Sequence, residues 1–202
     1  MNPSSNTDCY DKPIWTLGEL LGELPDLPAH LARVAGTAAN HPISGALRER
    51  IMLAVTAENR CFYCAVAHTT FGRAEGLTED EIAALLAGDD RGVAPGEALA
   101  LVYVRDLARR GFKSRDRALY EQLLEHFTEE QRTAIDSAAR VINLANRFGN
   151  TFDAARARLT GCEKTGASGL DLAVVSTLFA AGAAVVSPLV GVMMLTQKFR
   201  GR

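Results

Sequence analysis

The chain has 202 residues, 48% of them hydrophobic, and its 22 basic and 24 acidic side chains give a formal charge of -2. That is enough apolar material for one domain to bury a core without staples, which argues against a disulfide scaffold. The charges are interspersed and no basic patch carries interleaved aromatic residues, so nothing here gathers nucleic acid.

The opening "MNPSSNTDCYDKPIW" lacks the basic-then-apolar order of a secretion signal, so a cytoplasmic, reducing compartment is expected for the four cysteines. In that setting cysteines point to reactivity or metal binding rather than bracing. Residues 1–14 read as a flexible tail, with Cys9 inside it. From Trp15 onward apolar residues recur at intervals of three and four with no run of strand alternation, which predicts an all-α fold. Helices are expected near 28–39, 44–58, 60–75, 79–87, 95–110, 115–126, 129–147 and 170–197. Thr78 with Glu81 and Thr128 with Gln131 fit capping boxes, Pro95 suits a first turn, and Gly88, Gly111 and Gly149 serve as stops or breaks. These elements divide the chain into the tail, a helical domain over 15–168, and an apolar C-terminal helix with a basic tail over 169–202.

The run "CFYCAVAH" holds Cys61, Cys64 and His68. At about 100° per residue, offsets of three and seven keep the three side chains within roughly one-sixth of a helix circumference. The preceding "AENRC" reads as a helix break, with Asn59 as N-cap and Arg60 in the first turn. That places Cys61 at the positive end of a helix, beside a cation, where thiolate is favoured over thiol. His68, four residues beyond Cys64, is placed to exchange a proton with it, and two thiols at this spacing are able to close a disulfide. Gly72 continues the stripe and permits close approach of a partner helix or substrate. Tyr63 either donates a hydrogen bond into the site or packs at a helix interface.

The stretch "LRERIMLAVTAENRCFYCAVAHTTFGRAEGLTEDEIAAL" resembles the alkylhydroperoxidase D-like branch of the carboxymuconolactone decarboxylase superfamily. The family pattern is a glutamate, eleven residues, Cys, two residues, Cys, three residues, His, and Glu49, Cys61, Cys64 and His68 meet each spacing. Farther on, "VINLANRFGNTFD" is similar to the family's later Asn-rich helix, where Asn143, Asn146 and Arg147 would line or brace the site. The resemblance implies an all-helical, oligomeric protein and leaves the substrate open. For Glu49 to reach His68 the helix must break near Asn59 and fold back; Glu49 then orients His68 and stabilises its imidazolium. The plainer reading of Glu49 is a surface ion pair with Arg48 or Arg50, and Glu58 reads as a solvated helix end.

Three functions follow. The first is a thiol-dependent peroxidase or disulfide oxidoreductase with no metal or organic cofactor, its partners a hydroperoxide and a dithiol or protein reductant. In the family-like mechanism Cys64 attacks the peroxide, Cys61 resolves the sulfenic acid, and Glu49 and His68 relay the proton. The second is a lactone decarboxylase, which needs no thiol pair. The third is a zinc-binding or non-catalytic redox-sensing module; Cys162, His126, His41 and His30 are the residues left to complete a zinc set, none at paired spacing. Cys162 reads as a loop thiol.

From Leu172 to Leu195 the chain runs 24 residues without a charge, and Lys198, Arg200 and Arg202 follow. As a helix this would reach about 36 Å at 1.5 Å per residue, long enough for membrane contact or a bilayer span. Its small residues and Pro188 equally suit burial between the subunits of a homo-oligomer.

Overall fold

The computed structural model describes residues 9–34, 41–162 and 164–200, the last three of these by backbone alone. The fold is all-α. Among the described residues there are nine helices: α1 (Leu17–Glu23), α2 (Leu27–Val34), α3 (Gly45–Asn59), α4 (Phe62–Ala74), α5 (Glu79–Leu86), α6 (Pro95–Arg109), α7 (Arg117–His126), α8 (Glu129–Leu159) and α9 (Gly169–Arg200). The end of the helix expected over 28–39 lies outside the described residues.

The helix ends follow local chemistry. Thr16 with Glu19 and Thr128 with Gln131 form reciprocal capping boxes that open α1 and α8. Thr78 caps α5 in one direction only, accepting from the Glu81 amide, because the Glu81 carboxylate is drawn to Arg50 at 2.6 Å. Gly88 and Gly111 close α5 and α6 with φ of +81° and +61°. Gly149 does not stop α8, which runs 31 residues straight through it. A helical glycine costs only about 1 kcal/mol relative to alanine, and the packing on both sides of this turn outweighs that.

α3 occupies the centre. Ile51, Leu53 and Val55 are fully buried, and Glu49, Thr56 and Asn59 are buried with them, so the helix is covered on all sides by α4, α5, α6 and α8. Each of those apolar side chains stabilises the fold by about 1.5–3 kcal/mol on leaving water. A buried guanidinium fastens the neighbouring layer: Arg105 of α6 donates to the Ala54 and Leu85 carbonyls and to Asp90. A second, smaller core joins Trp15, Leu20 and Val175 to Leu144 and Phe148.

Residues 9–16 lie across α8 rather than away from the body. Tyr10 donates to the Asn150 carbonyl at 2.7 Å, Lys12 pairs with Asp153, the Ile14 carbonyl accepts from Arg147, and the Arg147 guanidinium stacks 3.5 Å from the centre of the Trp15 ring. Cys9 and Cys162 form a disulfide across 153 residues of sequence. This corrects two expectations: Cys162 is not a loop thiol, and one of the two cysteine pairs does brace. The reason is three-dimensional, since the segment before Trp15 is led back to the far end of α8 by contacts that no local pattern encodes. The first eight residues of the expected tail lie outside the described residues.

Candidate functional site

The break that the Glu49–His68 relay requires is present, two residues later than the sequence pattern placed it. α3 ends at Asn59, Arg60 takes the left-handed conformation with φ of 55°, and Cys61 itself is the N-cap of α4. Asn59 and Arg60 are therefore not the start of the second helix. Such a conformation costs a residue with a side chain about 1–2 kcal/mol. It is held by Arg60 donating to Asp11 through two nitrogens, at 3.0 and 2.8 Å, and by Asn150 Nδ2 donating to the Asn59 carbonyl at 2.8 Å.

The turn folds α4 back against α3 and leaves the four expected residues in two pairs, Cys61 with Cys64 and His68 with Glu49. His68 Nδ1 and Glu49 Oε2 are 2.7 Å apart, and Glu49 is only 4% exposed. Its other oxygen accepts from Arg48 Nε at 3.4 Å, so the expected ion pair with Arg48 forms, buried rather than at the surface, while Arg50 turns to Glu81 and Glu97. Glu58 is not a solvated end: Arg109 grips it in bidentate fashion and takes it away from the site.

Cys61 and Cys64 are both free thiols, 1% and 8% exposed, with their sulfurs 3.0 Å apart. Their proton affinities are driven in opposite directions. The hydrogen bond with Cys64 holds the Cys61 thiol below its usual value against the effect of burial, and the backbone amides of Cys64 and Tyr63 at the start of α4 and the Lys12 ammonium pull the same way. Cys64 is pushed well above the usual range by that same bond, by burial and by the charge on Cys61. Of the two, Cys61 is therefore the thiol that ionises first, and Cys64 holds its proton longer.

α8 supplies the other wall. Asn143 accepts from Asn59 at 3.0 Å, Asn146 accepts from Thr56 at 3.1 Å, and Asn150 bridges the Asn59 and Pro13 carbonyls. These three brace the turn that carries Cys61, whereas Arg147, expected with them, braces Ile14 and Glu19 instead. Asn150 and Lys12 escaped the sequence reading. Asn150 was detectable, since spacings of three and four from Asn143 put all three amides on one helical face; nothing local marks Lys12. Tyr63 packs against Phe152 of α8 and Phe179 of α9, and its hydroxyl accepts from Arg156. Gly72 is met at ordinary contact distance by Leu77, Ile82 and Leu53, so it serves helix packing.

Beside His68 lies a cavity of about 470 Å³. Arg48, Glu49, His68 and Glu75 form its polar side, and Met52, Phe71, Val141, Ile142, Ala145 and Met193 line much of the rest. A second cleft of about 550 Å³, between α2 and the start of α8, contains none of the four site residues.

The chain thus carries a buried dithiol at the start of α4 and a Glu–His pair one helical turn further on. Residues 25–104 match the model of the carboxymuconolactone decarboxylase family. Among solved structures, the chain is similar to an uncharacterized peroxidase-related protein from Ralstonia eutropha JMP134, described as an alkylhydroperoxidase AhpD core. That match has 26% identity over 67% of this chain and 70% of that one, with a TM-score of 0.50. An uncharacterized peroxidase-related protein from Silicibacter sp. TM1040 matches at 24% identity over 63% of this chain and 66% of that one, with a TM-score of 0.49. No curated protein matches the chain significantly.

Proposed function

We propose that the chain is a thiol-dependent peroxidase that reduces organic hydroperoxides at the Cys61–Cys64 pair. The observation that carries this reading is the placement of two free thiols 3.0 Å apart, the second of them one helical turn before a histidine whose Nδ1 is held by a buried carboxylate at 2.7 Å. A thiol with a raised proton affinity needs a base, and Cys64, four residues before His68 on α4, is that thiol. His68 takes the Cys64 proton while Glu49 stabilises the imidazolium. The Cys64 sulfur attacks the outer peroxide oxygen, the O–O bond breaks, and the leaving alkoxide takes the proton back to depart as an alcohol. Cys64 is then a sulfenic acid. The Cys61 thiolate attacks its sulfur, hydroxide leaves as water once protonated, and the resulting disulfide is returned to two thiols by an external dithiol that is itself oxidised. The apolar cavity beside His68 suits a hydroperoxide with a hydrocarbon body.

One observation favours a second assignment of roles: Cys61 is the thiol held below its usual value, which makes it the readier first nucleophile if peroxide reaches it. The test is dithiol-dependent consumption of cumene hydroperoxide by the purified chain, with each cysteine replaced in turn. Cys64→Ser abolishes consumption while Cys61→Ser allows one turnover and traps a sulfenic acid at Cys64; the reverse pattern assigns attack to Cys61. Parent-like turnover by both variants removes the redox reading and leaves acid–base lactone chemistry at Glu49 and His68 as the next to assay.

A further inference from the structure

α9 is attached to the body along one seam. Val175, Val190 and Met193 face inward, Phe179 stacks with Tyr63 and Phe152, and Gln197 donates to the Thr70 carbonyl at 2.9 Å. The flank about 100° round the helix from that seam is apolar and uncovered. Val174, Leu178, Val185, Leu189 and Val192 are 37%, 51%, 77%, 57% and 59% exposed. At helical pitch they fall within about one-sixth of the circumference and form one ridge along the helix. No charge interrupts the sequence from Leu172 to Gln197, the span Gly169–Gln197 is long and apolar enough to cross a membrane, and only 6% of its most apolar stretch is buried. A ridge of this extent marks a contact surface.

Charge decides between the occupants. Arg156 and Arg158 are exposed at the end of α8, and Arg158 reaches to within 3.9 Å of the space beside Gly169, where α9 starts. The last turn of α9 contains Lys198 and Arg200, and the sequence continues to Arg202. The single acid of α9, Asp171, is turned inward to the amides of Leu17 and Ser168. The ridge therefore has cations at both ends. A second copy laid along it, parallel or antiparallel, sets basic end against basic end, which opposes association. An anionic lipid surface complements both the ridge and its ends. The seam also fixes the orientation, because a helix docked from Val175 to Gln197 is not free to stand across the bilayer.

We propose that α9 is an in-plane lipid-binding helix that seats this protein on an anionic bilayer surface, so that the cavity beside His68 receives hydroperoxides of lipid acyl chains. Met193 makes the connection: it belongs to the helix that bears the ridge, and it lines the cavity with Phe71 and Ile142. The lipid seat stands on the geometry of α9 alone, while the substrate class rests on the peroxidase reading above.

The experiment is flotation of the full chain with vesicles of phosphatidylcholine alone or with one-quarter phosphatidylglycerol. The chain floats with the anionic vesicles at least tenfold more than with the neutral ones, and high salt weakens the difference. The double variant V185D/L189D loses that binding while its helicity and its thiol alkylation stay at parent level. Leu178→Trp, Val185→Trp and Val192→Trp then read depth through quenching by brominated lipids. Equal, shallow quenching at the three positions is the in-plane result; deepest quenching at Val185 means a span and overturns it. Absence of flotation overturns the lipid seat, whether light scattering finds a monomer or a dimer that V185D/L189D dissociates. The substrate half is read separately with phosphatidylcholine hydroperoxide in the anionic vesicles. Turnover at least tenfold slower for V185D/L189D than for the parent, with cumene hydroperoxide consumption unchanged, supports it. A floating protein that consumes cumene hydroperoxide but spares the vesicle-borne substrate overturns it. A floating protein that consumes neither removes the peroxidase reading and the substrate class with it, and leaves the lipid seat in place.

Discussion

Gly149 of α8 presents a bare Cα to Cys61: a Cβ at that position would stand 2.8 Å from Cys61 Sγ and 3.2 Å from Tyr63 Cδ2. The long helix passes the dithiol at a distance that only glycine permits. Gly149→Ala must push the Cys61 sulfur aside, and a short side chain on a capping residue has little room to yield. Overpacking costs about 1–3 kcal/mol, and the better helix propensity of alanine returns about 1 kcal/mol. The expected outcome is a small change in urea midpoint together with a large loss of peroxide turnover, because the separation of the two sulfurs changes. A variant with parent activity and parent stability would mean that the contact is not tight.

Why Gly149 reads as a helix stop from sequence, and is not one, shows where the sequence is legible. Local signals were read correctly: the all-α class from three-and-four spacing, the Thr128 capping box, Pro95 in the first turn of α6, and the contact of Glu49 with His68. What escaped was set by elements far apart in the chain. Gly149 is explained by Cys61, Cys9 by Cys162, Lys12 by Cys61 and Asp153, and Glu58 by Arg109. α1 is a different miss: Thr16 and Glu19 carry the same capping signature as Thr128 and Gln131, but the seven-residue helix they open is too short to display a period.

Replacing either member of the relay tests the proton path. Glu49→Gln keeps a hydrogen bond to His68 and removes the charge, and His68→Gln removes the base. Each is expected to lower kcat by about 10²-fold to 10⁴-fold. His68→Gln is rescued in part by raising pH, because solvent then deprotonates Cys64 directly. Glu49→Gln has a second signature. Arg48 keeps Glu75 at 3.3 Å but loses the carboxylate of Glu49, so a half-buried donor is left with a weaker acceptor and the midpoint of urea unfolding falls. Stopped-flow peroxide consumption as a function of pH separates the two; equal pH profiles for both variants and the parent would show that His68 transfers no proton.

The split between the two thiols makes a pH prediction with a definite sign. Cys61 is held low, so its thiolate persists to lower pH than that of a free cysteine, and its alkylation by iodoacetamide inflects below the ordinary thiol range. Cys64→Ala removes the largest cause of that shift, and the inflection of Cys61 moves up. Lys12→Gln removes a smaller one and moves it up by less. In Cys61→Ser the charge that opposes ionisation of Cys64 is gone, so the Cys64 inflection moves down, while burial keeps it above the ordinary value. Mass spectrometry of each labelled peptide against pH reads all four; a Cys61 inflection that stays fixed in Cys64→Ala would mean that the pair does not share its proton.

The Cys9–Cys162 bond closes a loop of 153 residues, which removes more freedom from the unfolded chain than a short loop would. In the folded protein the same segment is held independently by Tyr10 on Asn150, Lys12 on Asp153 and Trp15 on Thr151. Cutting the bond therefore leaves the folded state nearly intact and acts mainly on the unfolded one, with a loss of up to about 5 kcal/mol. Cys9→Ser, Cys162→Ser and the double replacement each open the same loop once, so the three should lower the denaturant midpoint equally. The measurement belongs in a background where Cys61 and Cys64 are both serine, so that added reductant acts on this bond alone. There, dithiothreitol should bring the otherwise unaltered chain to the midpoint of the variants and leave the variants where they are. Additive losses for the two single replacements, or a midpoint that reductant does not move, would show that these cysteines are not joined to each other.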